Sequence, residues 1–94
     1  MYFTITGTNF RHGSDFIKPD MRVTLIKEPD NEYDKEAIKV TLEGLGTIGY
    51  VANSPKTVIG DCFSAGRLYD KIGDTAVGVV NYVLSDGIVC KVEE

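Results

Sequence analysis

Acidic side chains, an amide and a large aromatic ring are crowded into residues 29–34, Pro-Asp-Asn-Glu-Tyr-Asp. The stretch lies between two apolar runs, 23–26 and 37–40, which are typical of neighbouring strands. A turn of this composition offers a stacking surface and hydrogen-bonding groups together at one exposed corner. We interpret it as a candidate ligand-binding site, with Asn31, Tyr33 and Asp34 as its central residues.

The same residues also have a purely structural interpretation. Asn31 and Asp34 are common turn formers, because both side chains accept hydrogen bonds from nearby backbone amides. Tyr33 is then a half-buried packing residue with its hydroxyl in solvent. Asp34 can instead pair with Lys35 or Arg11, and an exposed pair of this kind contributes only about 0–1 kcal/mol.

Alternating apolar and polar residues predict the strands that must position this corner. The predicted strands cover residues 2–8, 21–27, 37–42, 47–52, 76–84 and 88–93. The side chains expected to point inward on the first three are Phe3, Ile5, Val23, Leu25, Ile38, Val40 and Leu42. Residues 9–20 are expected to form a long loop, and Asp86-Gly87 is typical of a tight hairpin.

One helix is predicted to begin at Ser54-Pro55, since serine caps the first amides and proline suits the first helical position. An apolar stripe at helical spacing follows it, formed by Val58, Ile59, Cys62 and Phe63. Gly66 suits the left-handed position at the end of such a helix. Gly60 lies inside the stripe and lowers helix stability by about 1 kcal/mol relative to alanine.

Six strands and one helix in 94 residues predict a mainly β protein, a small closed or nearly closed barrel with one capping α-helix. OB-like and SH3-like barrels both fit this pattern. The length predicts a single domain over residues 1–94.

Composition narrows the classes of function. The net charge of −4 argues against strong non-specific binding to nucleic acid, which depends on neutralising phosphates. Cys62 and Cys90 are expected to be buried free thiols, and with His12 as the single histidine no metal site is expected. No cofactor is predicted. The first residues lack the features of a signal peptide and no apolar run approaches ~20 residues, so a cytoplasmic protein without a membrane partner is expected.

The segment from Asn31 to Val40 resembles the pattern Asn-x-Tyr-Asp-x-x-Ala-Ile-x-Val of the HIRAN domain family. Lys-Glu-Pro at 27–29 precedes it, and Gly-Tyr at 49–50 follows it in the next predicted hairpin. Gly7 and Phe10 also match the family's Gly-x-x-aromatic element at the end of the first strand. The resemblance covers residues 3–72. The sequence is most similar to bacterial family members in which the HIRAN domain stands alone.

This resemblance implies an OB-like barrel that binds single-stranded DNA at a free 3′ end, in DNA repair, with helicase or nuclease domains as possible partners. It implies that Tyr33 and Phe10 stack on a terminal base and that Asp34 accepts the 3′-hydroxyl proton. Asn31 would bond to backbone or base, and Tyr50 would line the rim. Read from the sequence alone, Phe10 and Tyr50 are equally candidates for packing residues.

Cations near these residues are expected to contact phosphate. The nearest by sequence are Arg11, Lys35 and Lys39, with Lys27 and Lys56 as further candidates.

Three functions follow for testing. The first is a non-catalytic module that binds single-stranded DNA. The second is a protein-interaction barrel that serves a helicase or nuclease, motivated by the acidic charge. The third is an enzyme in which Glu28, Asp30 and Asp34 hold a divalent cation, but no general base is evident and no nucleotide-hydrolysing or nucleophile motif occurs.

Overall fold

The computed structural model describes residues 1–7 and 16–93, and these form six strands and one short helix. The strands are β1 (Tyr2–Thr6), β2 (Arg22–Lys27), β3 (Ile38–Leu42), β4 (Gly46–Val51), β5 (Thr75–Leu84) and β6 (Gly87–Val92). The helix, α1, covers Ala65–Tyr69. The mainly β fold expected from the sequence is confirmed.

The six strands close into an antiparallel barrel in the order β1-β4-β3-β2-β5-β6, with β6 returning to β1. Closure leaves none of these strands with an unpaired edge. The strand register shifts at Val40/Thr41 and again at Val80/Tyr82. Such irregularities bend strands, which helps a small barrel to close.

Inward side chains of these strands fill the barrel as strand alternation predicts. Phe3, Ile5, Leu25, Ile38 and Val40 are completely buried. Val23 and Leu42 are also buried, so all seven expected core residues are confirmed. Gly78 is required beside this core, since a Cβ there would lie 2.8 Å from the Phe3 ring.

The helix does not lie where the sequence predicts it. Residues 54–62 form turns, and Gly60 has a φ of 55°, which is a left-handed conformation that interrupts a helix. The Phe63 amide then donates to the Tyr2 carbonyl at 2.7 Å, which places Phe63 alongside β1. The predicted helical stripe is therefore an irregular segment packed along β1.

The observed helix begins at Ala65, after the turns that contain Gly60. Ser64 caps it, because its hydroxyl accepts a hydrogen bond from the Arg67 amide at 3.3 Å. Gly66 consequently lies in the first turn of α1 and not at a helix end, so that prediction was wrong. Ala65 and Leu68 are fully buried and anchor this short helix.

Both cysteines are buried free thiols. Burial, with a smaller contribution from the neighbouring Cys62, raises the pKa of the Cys90 thiol to about 12.

Candidate nucleic-acid interface

The candidate corner is the turn that joins β2 to β3. The Glu28 amide donates to the Ala37 carbonyl at 2.9 Å and so extends the pairing of the two strands beyond their ends. The Asn31 amide donates to the Glu28 carbonyl at 3.0 Å, and the Ala37 amide to the Asp34 carbonyl at 3.1 Å. These bonds hold the turn in one conformation above the end of the barrel strands.

Asn31 organises the turn from within. Its Oδ1 accepts the backbone amides of Tyr33 at 2.9 Å and Asp34 at 3.0 Å. Its Nδ2 donates to the Glu28 carboxylate at 3.2 Å. The turn-forming interpretation of Asn31 is therefore correct, and both lone pairs of its oxygen are occupied.

Asp34 is half-buried, and both of its carboxylate oxygens are held in place. Oδ1 accepts the Glu36 amide at 2.9 Å, and Oδ2 accepts the Asn53 side-chain amide at 2.9 Å. Asn53 in turn accepts the Gly66 amide at 2.8 Å. A hydrogen-bonded path therefore connects the turn to α1 through Asn53.

Tyr33, the residue before Asp34 on the turn, projects into solvent. Its exposed fraction is 90%, so the interpretation of Tyr33 as a half-buried packing residue is wrong. The backbone of Tyr33 is nonetheless ordered by its hydrogen bond to Asn31. The ring is accessible for stacking without any rearrangement of the turn.

A groove of about 460 Å³ lies under the turn and contains four of the residues predicted to contact nucleic acid, Lys27, Asn31, Lys39 and Tyr50. Strand register explains their proximity, because Lys39 on β3 pairs with Ile26 on β2 and with Tyr50 on β4. Tyr50 pairs in addition with Thr6, the last residue of β1. The side chains at one level of the outer face of the barrel are therefore those of Ile26, Lys39, Tyr50 and Thr6.

The cations of this region differ in their surroundings. Lys35 is exposed on the turn, whereas Lys39 is half-buried and lies 3.8 Å from the Glu28 carboxylate. Lys27 donates to the Ile72 carbonyl at 2.8 Å and lies 4.5 Å above the Tyr69 ring. Lys27 is therefore engaged within the fold, whereas Lys35 lies on the corner itself and Lys39 lines the groove beneath it.

Two predicted site residues, Phe10 and Arg11, lie outside the described residues, as does His12. The described part of the chain does fix where β1 ends. Gly49 on β4 packs directly against the Thr6 carbonyl, where a Cβ could not fit. This close approach brings the end of β1 to Tyr50 at the groove.

Sequence reasoning did not predict that Asn53 belongs to this site or that Glu28 has a role in it. Asn53 meets Asp34 across 19 positions of sequence, and a single asparagine after a strand gives no signal of such a contact. Glu28 appears in the sequence as an acid before proline, and only the fold shows that it contacts both Asn31 and Lys39.

Within residues 1–7 and 16–93, no group of three histidine, cysteine or acidic residues is placed to hold a metal ion. Over the same ranges, no helix has the length and apolar character required to span a membrane.

A protein-family model for the HIRAN domain matches residues 1–91 of the chain. The chain belongs to the HIRAN domain family. A search of curated proteins found no match. The family model covers the turn, Asn53 and α1, so every residue of the candidate corner lies within the HIRAN domain.

Solved structures with the same fold include the HIRAN domain of human HLTF and a protein from Lactobacillus plantarum. The HLTF domain has a TM-score of 0.63 and 21% identity, over 98% of this chain and 73% of that one. The Lactobacillus plantarum protein has a TM-score of 0.60 and 24% identity, over 99% and 92%. At these identities the likeness shows the fold alone, and the closed six-stranded barrel is consistent with an OB-like HIRAN fold.

Membership of the HIRAN family supports a nucleic-acid-binding module. HIRAN is a binding domain and not a catalytic one.

Proposed function

We propose that this HIRAN domain binds single-stranded DNA at a free 3′ end, at the corner formed by Tyr33 and Asp34. The observation that carries the proposal is that the turn fixes the Asp34 carboxylate and exposes the ring of the preceding residue, Tyr33. The Asp34 carboxylate can accept a hydrogen bond from a hydroxyl, and the Tyr33 ring can stack on any base. A terminal nucleoside offers both a hydroxyl and a base.

Asp34 has the chemistry that a 3′-hydroxyl requires. Each carboxylate oxygen has two lone pairs and accepts one hydrogen bond from the described residues, so each retains acceptor capacity. Asp34 forms no ion pair with any residue that the structure describes. A carboxylate accepts a hydrogen bond from a hydroxyl but repels a phosphate, which favours a strand end over a continuing strand.

The neighbouring groups have supporting roles in the proposal. Tyr50 and Lys39 line the groove below the turn, where an aromatic face and a cation suit a base and a phosphate. Lys35 is exposed on the turn and adds a second cation. Asn31 holds the turn and uses its Oδ1 entirely for that purpose, so its remaining contribution to DNA is through Nδ2. Phe10 and Arg11 complete the set that the sequence predicts.

The proposal is tested by anisotropy titrations with 5′-labelled oligonucleotides that end in a 3′-hydroxyl or a 3′-phosphate. The 3′-hydroxyl strand is expected to bind more tightly, and Asp34→Asn is expected to remove most of that preference. Tyr33→Ala should weaken binding of both strands by about 1–3 kcal/mol, the usual value of one base stack.

Tyr82→Ala is the matched control, because Tyr82 is also exposed, at 62%, but lies on β5 on another part of the barrel. Equal binding of the two strand ends, or full affinity in Tyr33→Ala, would rule out this corner as an end-binding site.

A protein-interaction barrel is the second candidate function. The net charge of −4 and the exposed β5 side chains Val77, Tyr82 and Leu84 favour it. In that case the folded domain shows no oligonucleotide binding even at low salt, and a helicase or nuclease partner is the ligand to be sought.

A further inference from the structure

A second groove begins where the candidate corner ends. It has a volume of about 350 Å³ and is lined by Asn53, by the turns of residues 55–62 and by Ser64 and Arg67 of the α1 region. Asn53 lines this groove and also donates to Asp34, so one side chain belongs to both sites. The groove therefore borders the corner at Asn53.

The charge of this groove distinguishes it from three other grooves among the described residues. Arg67 is its charged lining residue, and none of the lining residues is acidic. The groove under the turn contains Glu28 and Asp30, and two further grooves near the chain end contain Glu93. In a protein of net charge −4, a groove lined by one arginine and no acid is a local exception, with the Glu36 carboxylate lying nearby against Gly66.

Arg67 is positioned and available. Its guanidinium carbon lies 4.5 Å from the centroid of the Phe63 ring, and stacking of this kind limits the conformations of the side chain. The guanidinium makes no hydrogen bond or ion pair with residues 1–7 or 16–93. Its planar set of donors matches a phosphate, which accepts two parallel hydrogen bonds from one arginine.

We infer that this groove is a second subsite, in which a single strand held at the corner continues along residues 53–62 and α1. Arg67 binds a backbone phosphate of that strand. The inference rests on the proposed function, since the corner supplies the strand. It assigns to α1 and the preceding turns a binding role in addition to their role in packing.

The test compares a dinucleotide, which reaches only the corner, with a strand of about eight nucleotides, which is long enough for an extended site. Affinities of the wild type and Arg67→Gln are measured by competition between about 50 and 200 mM salt. For the long strand, Arg67→Gln is expected to bind roughly tenfold more weakly at low salt. The slope of log K against log salt should be shallower by about 0.7, the value of one phosphate on a single strand.

The dinucleotide and the preference for a 3′-hydroxyl are expected to be unchanged in Arg67→Gln. Arg67→Lys should retain the salt slope, because it retains the charge. Arg22→Gln is the matched control, since it removes the same charge from an exposed arginine on β2 that pairs with Glu93. Thermal unfolding of each variant confirms that the barrel is intact.

The outcomes separate this inference from the proposed function. If Arg67→Gln and the wild type have equal affinity and slope for the long strand while the end preference persists, the second subsite is wrong and the corner stands. An equal loss in Arg22→Gln would also overturn the subsite, because the effect would then come from net charge. Failure of the wild type to bind any strand overturns both.

Discussion

Individual side chains at the corner combine structural roles with the binding roles that we propose for them. Asn31 and Asp34 are the turn formers that residue type alone suggests, yet the two are not equivalent. Asn31 uses both acceptor positions of its oxygen within the turn, whereas each Asp34 oxygen uses one. The turn therefore fixes the backbone with one residue and presents a carboxylate with the other.

Glu28 carries a charge that opposes DNA binding at this corner. Its carboxylate lies 3.8 Å from the Lys39 ammonium and accepts a hydrogen bond from Asn31 at 3.2 Å. Glu28 therefore competes with a DNA phosphate for Lys39. Glu28→Gln keeps an acceptor for Asn31 and removes the charge. We expect tighter binding of a single strand and a salt slope steeper by about 0.7, measured by anisotropy.

Glu93→Gln is the control for Glu28→Gln, because Glu93 is also paired with a cation, Arg22, but lies just beyond β6. Unchanged affinity in Glu28→Gln, or an equal gain in Glu93→Gln, would show that Glu28 does not compete for Lys39.

At the scale of elements, local patterns predicted the strands well and the helix poorly. Strand alternation depends on neighbours two positions apart, so the core positions from Phe3 to Leu42 could be read directly. Spacing alone made a helix the natural interpretation of the apolar stripe formed by Val58, Ile59, Cys62 and Phe63. Its actual partners are on β1, where the Ile59 amide donates to Thr4 Oγ1 and the Phe63 amide to Tyr2, and such long-range bonds leave no local signal.

The candidate site divides in the same way. Asn31, Tyr33 and Asp34 lie within four positions, so their association was visible in the sequence. Asn53 and Arg67 reach the same region only through the barrel and α1, and their contribution required the fold.

Gly60→Ala distinguishes the observed turns from a continuous helix over residues 54–66. In a helix, alanine would be stabilising by about 1 kcal/mol relative to glycine. In the structure Gly60 has a φ of 55°, and no atom lies within 4 Å of the position that an alanine Cβ would take, so the expected change is a conformational penalty without a clash. We expect the free energy of unfolding in urea to fall by about 1–2 kcal/mol.

A rise in the free energy of unfolding for Gly60→Ala would contradict the turns. Gly73→Ala is a comparison variant outside this segment, where a Cβ meets only ordinary van der Waals contact.

At the scale of the whole molecule, the closed barrel protects one titratable group that affects stability. The Cys90 pKa is raised by burial from 9.0 to about 12, so between these values the unfolded chain releases the proton and the folded chain retains it. The stability present below pH 9 is therefore expected to be lost progressively as the pH rises toward 12.

The measurement for Cys90 is the free energy of unfolding between pH 8 and 11 in the wild type and in Cys90→Ala. All other titratable groups are present in both proteins, so the difference between the two curves isolates the Cys90 thiol. The variant should lose stability less steeply above pH 9, and parallel curves would show that the folded thiol ionises normally.

The acidic charge of the molecule makes local geometry decisive for binding. With a net charge of −4, a general attraction to phosphate contributes little, and the proposed affinity depends on specific contacts at the corner and its adjoining groove. The barrel supports this arrangement by bringing β1, β3 and β4 together beneath the turn.

The most direct test is an amide NMR titration of the domain with a single-stranded oligonucleotide that ends in a 3′-hydroxyl. The largest shifts are expected at Tyr33, Asp34, Glu36, Asn53 and Gly66, which share the hydrogen-bonded path from the turn to α1. Shifts that are largest on β5 and β6, or no shifts at saturating strand concentration, would contradict DNA-end binding at this corner.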